Sequence, residues 1–363
     1  MNDNDLSIYI HWPFCKSKCP YCDFFSRVKK HVDQEPIIDG YLEQLNRYRE
    51  ILGNRNIISV FFGGGTPSLI SPQNIEKILK NINNLWGINE NCEISLEANP
   101  NTNSPTLFQD LAHAGINRLS LGIQSLDDAE LKFLGRSHTS NEALKSIDNV
   151  LQNFDNHSVD LMYALPAQKF SSWQKQLRQI SSMGLKHISL YQLTIEENTL
   201  FYRRGIKAMA EEKAAQLYLN TEEYLAQKGY NKYEVSNYAQ QGFESIHNQT
   251  YWQGGNYIGI GETAHGRLKI GIKHYAQTNP IVLEELTPIE RAQELIIMGL
   301  RLTSGINKSS FANICSLDFD KFINQSFKNK MIEQGYLSET PTVIKATKQG
   351  FLLLNYLIEG LCP

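Results

Sequence analysis

The sequence predicts an α/β fold in which parallel strands form a partial or complete barrel, followed by a small, mainly helical C-terminal domain. Short apolar, β-branched segments alternate with longer amphipathic segments through the first two thirds of the chain, as in β/α repeats around a parallel sheet. After Pro288 the pattern becomes helical. The length of 363 residues exceeds one average domain and suits a large barrel with an appended domain.

Six segments have the length and composition of buried strands. In the first of them, Ile8 and Ile10 alternate with bulkier or polar neighbours, which is typical of a strand. The six predicted strands are Leu6–His11, Ile57–Phe62, Cys92–Ala98, Arg118–Gly122, Ser158–Met162 and His187–Gln192. Ligands of (β/α) barrels bind at the carboxyl ends of the strands, so polar residues at those ends are candidate binding residues.

Helices are predicted between these strands, and one opens with Ser71-Pro72, a cap residue followed by proline at the first helical position. The predicted helices cover about 39–52, 72–86, 104–114, 141–154, 171–183 and 208–228. Residues 230–275 are rich in Gly, Tyr, Asn and His, which predicts short strands and ordered loops. The domain prediction is a barrel over 1–235, connecting strands and loops over 236–287, and a C-terminal domain over 288–363. In that domain helical segments are predicted at 288–302, 309–311 and 319–333, and a strand pair and helix at 342–358.

Composition describes an ordinary globular protein, with 41% hydrophobic residues, 20% charged residues and a net charge of −3. The sequence shows no stripe of basic residues that would indicate a nucleic-acid partner. No apolar run approaches the roughly 18 to 20 residues that span a bilayer, and the first residues, MNDND, are unlike a secretory leader. A cytoplasmic location is therefore expected.

Three closely spaced cysteines, Cys15, Cys19 and Cys22, have the C-x3-C-x2-C spacing of a metal site in the loop after the first strand. Three thiolates without a fourth leave one corner of a metal centre for an exchangeable ligand. A structural zinc site would need a fourth ligand nearby, and the nearest candidates, His11 and His31, lie outside the usual ligand pairings. The spacing therefore favours an open metal centre.

A disulfide framework does not suit these cysteines, because the trio is odd in number and no secretory leader is evident. The remaining cysteines are scattered and are interpreted as plain thiols: Cys92, Cys315 and Cys362.

The segment Y-I-H-W-P-F-C-K-S-K-C-P-Y-C-D-F-F-S resembles the start of radical S-adenosylmethionine (SAM) proteins, in the branch that holds oxygen-independent coproporphyrinogen III oxidase and a haem-chaperone paralogue. The resemblance extends over roughly residues 6–358 and includes a C-terminal domain of the oxidase type. It implies an open six-stranded (β/α)6 partial barrel and a [4Fe–4S] cluster on the three cysteines, with SAM on the fourth iron. Tyr21 would lie near the adenine, and Tyr9 is a further candidate cofactor-binding residue.

Three consecutive glycines, Gly63, Gly64 and Gly65, precede Thr66 at the end of the second strand. Glycines let backbone groups approach a ligand closely, but such a run alone is more often merely a turn, and it lacks the Lys-Ser/Thr ending of a nucleoside triphosphate loop. With the cysteines upstream, the resemblance implies that this run holds the amino acid part of SAM.

Polar side chains also end or follow three further strands, where burial is costly unless they bind something. These are Glu97, Gln124 and Asp160, and Arg136 follows twelve residues after Gln124. Each could alternatively be a strand-end cap or part of a surface ion pair. The resemblance implies that Glu97 binds the ammonium and ribose region of SAM, that Gln124 and Asp160 bind its ribose hydroxyls, and that Arg136 binds its carboxylate.

A second motif, H-N-Q-T-Y-W, begins at His247 and contains Tyr251 and Trp252. Imidazole is a common axial ligand of haem iron, and both aromatic rings could pack on a flat macrocycle. By residue type alone, a core histidine with an aromatic neighbour is an equal alternative, and His265 is interpreted as structural. The resemblance implies that the His-Asn-x-x-Tyr-Trp motif holds haem.

Two features favour the chaperone over the oxidase. The oxidase has a fourth cysteine where this chain has Phe24, and it has a longer segment before the cysteines than the fourteen residues here. The resemblance thus implies a haem chaperone, with radical decarboxylation of coproporphyrinogen III as the alternative. A third hypothesis, that the protein is only a scaffold, is disfavoured because it does not explain the polar residues at the mouth of the predicted barrel.

The partners implied by the chaperone hypothesis are haem or a porphyrin and an acceptor protein of unknown identity, with peripheral contact to acceptors that are bound to membranes. The sequence predicts no oligomeric state.

Overall fold

The structure is a computed structural model that describes residues 2–100 and 106–363. Its strands, in chain order, are β1 (Asp5–Trp12), β2 (Phe14–Cys15), β3 (Arg27–Val28), β4 (Asn56–Gly64), β5 (Ile88–Ala98), β6 (Arg118–Gln124), β7 (Asn156–Tyr163), β8 (His187–Gln192), β9 (Asn231–Lys232), β10 (Asn237–Ala239), β11 (Tyr257–Ile260), β12 (Gly266–Ile270), β13 (Lys273–Asn279), β14 (Val282–Leu286), β15 (Ile306–Asn307), β16 (Leu337–Glu339) and β17 (Val343–Ala346).

The helices in the same residues are α1 (Glu35–Leu52), α2 (Pro72–Trp86), α3 (Leu107–His113), α4 (Asp128–Phe133), α5 (Ser140–Asn153), α6 (Phe170–Ser181), α7 (Leu200–Arg203), α8 (Glu211–Gln227), α9 (Ile246–Trp252), α10 (Pro288–Gly299), α11 (Lys308–Cys315), α12 (Phe319–Phe322), α13 (Gln325–Glu333) and α14 (Leu354–Leu361). Short 3-10 turns lie at Pro67–Leu69 and Gly350–Leu353.

The main sheet has the order β14-β13-β12-β11-β1-β4-β5-β6-β7-β8-β10-β9, and its two edge strands are not paired with each other. All six predicted strands are confirmed, and β1 and β4 to β8 run parallel. The sheet is therefore the open partial barrel that was expected.

A seventh parallel strand, β11, pairs with the outer edge of β1, from Ser7 opposite Tyr257 to Ile10 opposite Ile260. The sequence predicted only short strands and loops in this region. Four residues that include Gly259 carry too little periodicity to predict a strand, and the position of β11 depends on pairing with residues 250 positions away.

The helices lie between successive strands as predicted. In α2, the Ser71 hydroxyl accepts a hydrogen bond from the Asn74 backbone N–H at 3.2 Å, and Pro72 occupies the first turn. The predicted helix at 104–114 is observed from Leu107 to His113, and positions 104 and 105 lie outside the described residues. Helices α4, α7 and α9 were not predicted, because six, four and seven residues are too few for a helical period to show. Helix α9 lies in the region that was predicted to hold only short strands and loops.

The C-terminal segment is mainly helical and contains a three-stranded sheet of order β15-β17-β16. Strand β17 lies within the range 342–358 predicted for a strand pair and helix, whereas β16, its antiparallel partner, lies before that range at Leu337–Glu339. The division of the chain at residues 235 and 287 stays a prediction. Within the described residues, no helix is long and apolar enough to cross a membrane.

One buried side chain holds β11 in place. Strand β11 has a single paired position with β12, Tyr257 opposite Arg267. The Gln277 amide of β13 replaces the missing ladder: its Oε1 accepts from the Gly259 N–H at 2.9 Å, and its Nε2 donates to the Gly259 carbonyl at 2.7 Å. Because Gln277 is fully buried, water cannot substitute for these bonds.

We expect Gln277→Leu to lower the free energy of unfolding by about 2–4 kcal/mol, because two buried backbone groups of Gly259 lose their partners. Urea unfolding followed by circular dichroism measures the change. The control is Gln216→Leu, on the exposed face of α8, which should change stability by less than about 0.5 kcal/mol. Equal effects of the two substitutions would contradict the role of Gln277.

Candidate functional site

A cavity of about 710 Å³ opens at the carboxyl ends of the parallel strands. The loops that follow β1, β4, β5, β6, β7 and β8 contribute to its lining, as expected for a (β/α) barrel. Its lining includes most of the predicted site residues, namely Cys15, Cys19, Tyr21, Cys22, Gly64, Gly65, Thr66, Glu97, Gln124, Arg136 and Asp160. The structure therefore brings together residues from six different β/α units.

Three predicted residues do not line this cavity. Tyr9 and His247 face a second, smaller cavity inside the barrel. Gly63 lies below the mouth, where a Cβ atom would come within 2.8 Å of the Tyr9 ring and 3.0 Å of the Phe61 ring. Glycine at position 63 therefore allows β4 to pack closely against β1.

The cysteine loop is anchored to the barrel at its first cysteine. Strand β2, which ends at Cys15, pairs with β3 through hydrogen bonds from the Arg27 N–H to the Pro13 carbonyl at 2.6 Å and from the Lys29 N–H to the Cys15 carbonyl at 3.0 Å. The Thr66 hydroxyl donates to Cys15 Sγ at 3.5 Å. All three cysteines are free thiols.

The three cysteines suit a [4Fe–4S] cluster better than a single ion. In the described part of the chain, no three His, Cys, Asp or Glu side chains are grouped so that they could hold one metal ion. Each thiolate of such a cluster binds a different iron, so the sulfurs need not meet around one centre. Burial raises the pKa of the Cys22 thiol, and a cluster would supply the positive charge that favours the thiolate.

The glycine run packs directly against the cysteine strand. The Gly65 N–H donates to the Trp12 carbonyl at 2.7 Å, and the Thr66 N–H donates to the Phe14 carbonyl at 3.0 Å. A Cβ atom on Gly65 would lie 2.7 Å from the Phe14 oxygen. Gly64 has φ +109°, a conformation that L side chains rarely adopt. Glycine is therefore required at both positions.

Two carboxylates, Glu97 and Asp160, lie on the cavity wall. Glu97 Oε2 accepts from the Gly64 N–H at 3.3 Å, and both Asp160 oxygens accept from the Ser120 hydroxyl, at 2.9 and 3.1 Å. Burial, and secondly the charge of Asp160, raise the pKa of Glu97 to about 8. Burial also raises the pKa of Asp160. A cationic ligand would be attracted by this pair.

Arg136 connects the cysteine loop to the strand ends. Its Nη2 donates to Asn99 Oδ1 at 2.5 Å and to the Gly122 carbonyl at 2.7 Å, and its Nη1 donates to Cys19 Sγ at 3.5 Å. In this conformation the guanidinium positions protein groups, and its contact with a ligand carboxylate stays a prediction. Gln124, beside it, has φ +65°, which is uncommon for a residue with a side chain.

Sequence reasoning missed several residues of the cavity wall. Asn99 donates to Thr66 Oγ1 at 3.3 Å as well as accepting from Arg136. Its signal in the sequence was its position two residues after Glu97, at the same strand end. The end of β8 and the loop after it contribute further residues that follow the same pattern of polar groups at the end of an apolar strand, namely Tyr191, Gln192, Thr194 and Glu196.

His247 lies in the inner cavity, which has a volume of about 200 Å³ and shares Glu97 and Asp160 with the outer one. Its Nδ1 is 2.8 Å from the Ser59 hydroxyl, and its Nε2 is 2.5 Å from the Tyr251 hydroxyl. The ring stacks on Phe61 at 4.9 Å between centroids. Burial lowers the pKa of His247 to about 3, so the ring is neutral.

Glu93 holds the start of α9 against the barrel. Its carboxylate accepts from the Ile246 N–H at 2.9 Å, from the His247 N–H at 3.2 Å and from the Ser245 hydroxyl at 3.1 Å. A carboxylate at a helix N-terminus is favourable because it meets unpaired N–H groups. This contact directs His247 into the barrel interior.

Comparisons with known proteins agree with this geometry. Residues 9–180 match the radical SAM superfamily, and residues 286–353 match the HemN C-terminal domain. The chain is 35% identical to the Heme chaperone HemW of Haemophilus influenzae over 98% of this chain and 97% of that protein. It is 33% identical to the mitochondrial radical S-adenosyl methionine domain-containing protein 1 of Bos taurus over 96% of this chain and 82% of that protein.

Among solved structures, coproporphyrinogen III oxidase (HemN) of Escherichia coli superposes with a TM-score of 0.81 at 19% identity, over 98% of this chain and 90% of that one. This likeness shows the radical SAM fold with its C-terminal domain. Identity above 30% over nearly the whole length of both proteins, together with the cysteine cavity, shows the family: the chain belongs to the HemW family within the radical SAM superfamily.

Proposed function

We propose that this protein is a haem chaperone that carries a [4Fe–4S] cluster and SAM, binds haem and passes it to an acceptor protein. The observation that carries the proposal is the 35% identity to a Heme chaperone HemW over 98% of this chain. Membership of the radical SAM superfamily implies the cluster and SAM as cofactors. The cavity that joins three free cysteines to two buried carboxylates supports the same proposal.

In this proposal, Cys15, Cys19 and Cys22 hold the cluster, which when bound supplies an open iron for SAM and, once reduced, an electron. Thr66 and Arg136 donate hydrogen bonds to two of the sulfurs and stabilise their negative charge. SAM carries a sulfonium and an ammonium group, and Glu97 and Asp160 provide the negative charge that such a ligand needs. Tyr21, the glycine run and Gln124 complete the predicted SAM site.

The alternative function is radical decarboxylation of coproporphyrinogen III. It is kept because the cavity beside the cysteines, at about 710 Å³, has room for more than a small cofactor. Anaerobic incubation of the reconstituted protein with coproporphyrinogen III, SAM and a reductant, beside a haem titration, tests both functions. Stoichiometric haem binding without formation of protoporphyrinogen supports the chaperone, and protoporphyrinogen formation overturns it.

We also propose a cytoplasmic location and peripheral contact with acceptors that are bound to membranes. The net charge of −3 argues against a nucleic-acid partner.

We expect anaerobically reconstituted protein to contain about four iron and four sulfide per chain, and Cys15→Ala, Cys19→Ala or Cys22→Ala to lose this cluster, because three thiolates are its protein ligands. Iron and sulfide analysis with absorption spectroscopy measures the content. The matched controls are Cys92→Ala, Cys315→Ala and Cys362→Ala, which should keep the cluster. Cluster loss in a control would show that the ligands are misassigned.

SAM binding should strengthen as pH rises from 6 to 8. In the free protein, Glu97 keeps its proton up to a pKa of about 8, whereas a bound cation favours the carboxylate, so binding expels a proton and affinity rises by up to about tenfold per pH unit. Glu97→Gln should remove this slope and weaken binding about tenfold or more at pH 8. Calorimetric titration at pH 6, 7 and 8 measures both effects, with the exposed Glu90→Gln on the same strand as control.

Glu97 should also make the free protein less stable at higher pH. Its pKa is raised above the ordinary value of 4.5, so the folded state holds a proton that the unfolded state has lost, and stability falls between about pH 4.5 and 8. Glu97→Gln should remove this decline, so its advantage over the parent should grow as pH rises. Thermal unfolding of both proteins across this pH range, without SAM, measures the difference in stability. A difference that does not change with pH would contradict the raised pKa of Glu97.

The prediction that His247 ligates haem stays a prediction. In the described conformation the imidazole would have to leave Ser59 and Tyr251 before either nitrogen could reach an iron. We expect His247→Ala to lower the free energy of unfolding by about 2–4 kcal/mol, because the packing of the ring on Phe61 is lost and the Tyr251 hydroxyl loses its partner. The exposed His113→Ala is the stability control. A haem titration of the same variant decides the axial role: a lost ligand band supports it, and the parent's spectrum contradicts it.

A further inference from the structure

The segment after the third cysteine exposes an unusual amount of apolar surface. The exposed fractions are 63% for Phe24, 40% for Phe25 and 55% for Val28. Large apolar side chains that cluster on a surface commonly mark a binding site. We refer to residues 24–30, together with Lys16 and Lys18, as the aromatic–basic patch.

The patch lies beside the cysteine cavity. Val28 is paired with Cys15 in the register of β2 and β3, and Arg27 is paired with Phe14. Phe24 itself lines the cavity. The Phe25 ring lies 6.3 Å from the ring of His11, at the end of β1. Backbone pairing therefore fixes Arg27 and Val28 beside the strand that ends at Cys15, and Phe24 and Phe25 immediately precede that pairing in the chain.

Positive charge surrounds these apolar side chains. Residues 16–30 contain five cationic side chains and one carboxylate, Asp23, which leaves a local excess of four positive charges in a chain whose net charge is −3. The five cations are Lys16, Lys18, Arg27, Lys29 and Lys30.

Part of this charge has protein partners and part does not. Arg27 pairs with Glu262 at 2.5 Å, and Lys18 donates to the Phe24 carbonyl at 3.2 Å. Lys29 lies over the Phe14 ring at 5.3 Å. Lys16 and Lys30 are exposed and have no hydrogen bond or ion pair with the residues that the structure describes.

We propose that the aromatic–basic patch is the haem-binding surface: Phe24, Phe25 and Val28 contact the macrocycle, and the free lysines bind its propionates. This inference rests on the proposed function. Haem combines a flat apolar ring with two carboxylates, and the patch combines the complementary features in one place. Three apolar side chains are few for a protein partner, since a stable protein interface buries about 800 Å² on each side.

This surface is distinct from the position of His247. The imidazole of His247 lies in the inner cavity with both nitrogens bonded, whereas Lys16, Lys18 and Phe24 of the patch line the outer cavity. A haem on the patch has no bond from His247 in the described conformation. The two locations can therefore be tested against each other.

The test is a haem titration of the full chain, reconstituted anaerobically with its cluster and followed by absorbance. The charge variant is Lys16→Gln/Lys29→Gln/Lys30→Gln, and its matched control replaces the exposed helical residues Lys175, Lys213 and Lys330 by Gln. We expect the charge variant to bind haem about tenfold or more weakly and the control to bind as the parent does. Haem dimethyl ester, whose propionates are neutral, should bind the parent and the charge variant equally.

The apolar variant is Phe24→Ala/Val28→Ala, with Ile272→Ala/Ile289→Ala as control at two other exposed apolar positions, 92% and 55% exposed. The apolar variant should weaken binding of both haem and its diester about tenfold. Unchanged iron and sulfide content shows that the cluster loop remains folded in each variant.

The outcomes separate the patch from the function. If the parent binds no haem, the proposed function fails. If the parent binds haem and the patch variants bind it equally well, the patch proposal is overturned while the function stands, and loss of binding in His247→Ala would then place haem at the inner motif. Patch variants that bind haem as tightly as the parent but no longer transfer it to an acceptor would also overturn the proposal. The patch would then be assigned to contact with a protein.

Discussion

The site depends on the close packing of the glycine turn after β4 against the strand that ends at Cys15. Two backbone hydrogen bonds, from Gly65 to Trp12 and from Thr66 to Phe14, join the two loops at distances that leave no room for a side chain at Gly65. Thr66 then reaches Cys15 and Asn99. Cys15, the turn and the end of β5 are therefore held as one unit, and a shift of either loop would separate them.

The carboxylates opposite this unit show a balance between stability and binding. Glu97 and Asp160 share one wall of the cavity; burial raises the pKa of both carboxyl groups, and the charge of Asp160 adds to the rise in the pKa of Glu97. The Ser120 hydroxyl and the Gly64 N–H offset part of that cost. A wall of this kind is unfavourable in an empty barrel and favourable when a cation is bound, which is the behaviour expected of a ligand site rather than of a core.

The barrel interior extends the polar network below the outer cavity. Glu93 orients α9, His247 bonds Ser59 and Tyr251, and Arg118 lies buried with its Nε 3.8 Å from Glu93. The guanidinium of Arg118 donates no hydrogen bond to the described residues, and it lines the inner cavity. Buried polar groups need hydrogen-bond partners, so the inner cavity is suited to water or a small polar ligand. The His247 motif is part of the interior of the barrel.

Much of the fold and of the outer site was determined by the sequence alone. Apolar strands with polar ends predicted six parallel strands, and the C-x3-C-x2-C spacing with the glycine run predicted which loops would meet, because periodicity and turn chemistry are local properties of the chain. Three things were decided only in the tertiary structure. Strand β11 exists because β1 and Gln277 provide its hydrogen bonds; Asn99 joins the site because Arg136 and Thr66 reach it; and His247 faces inward because Glu93 holds its helix. Each depends on residues at least 18 positions away in sequence, and contacts of that range leave no mark on local sequence pattern.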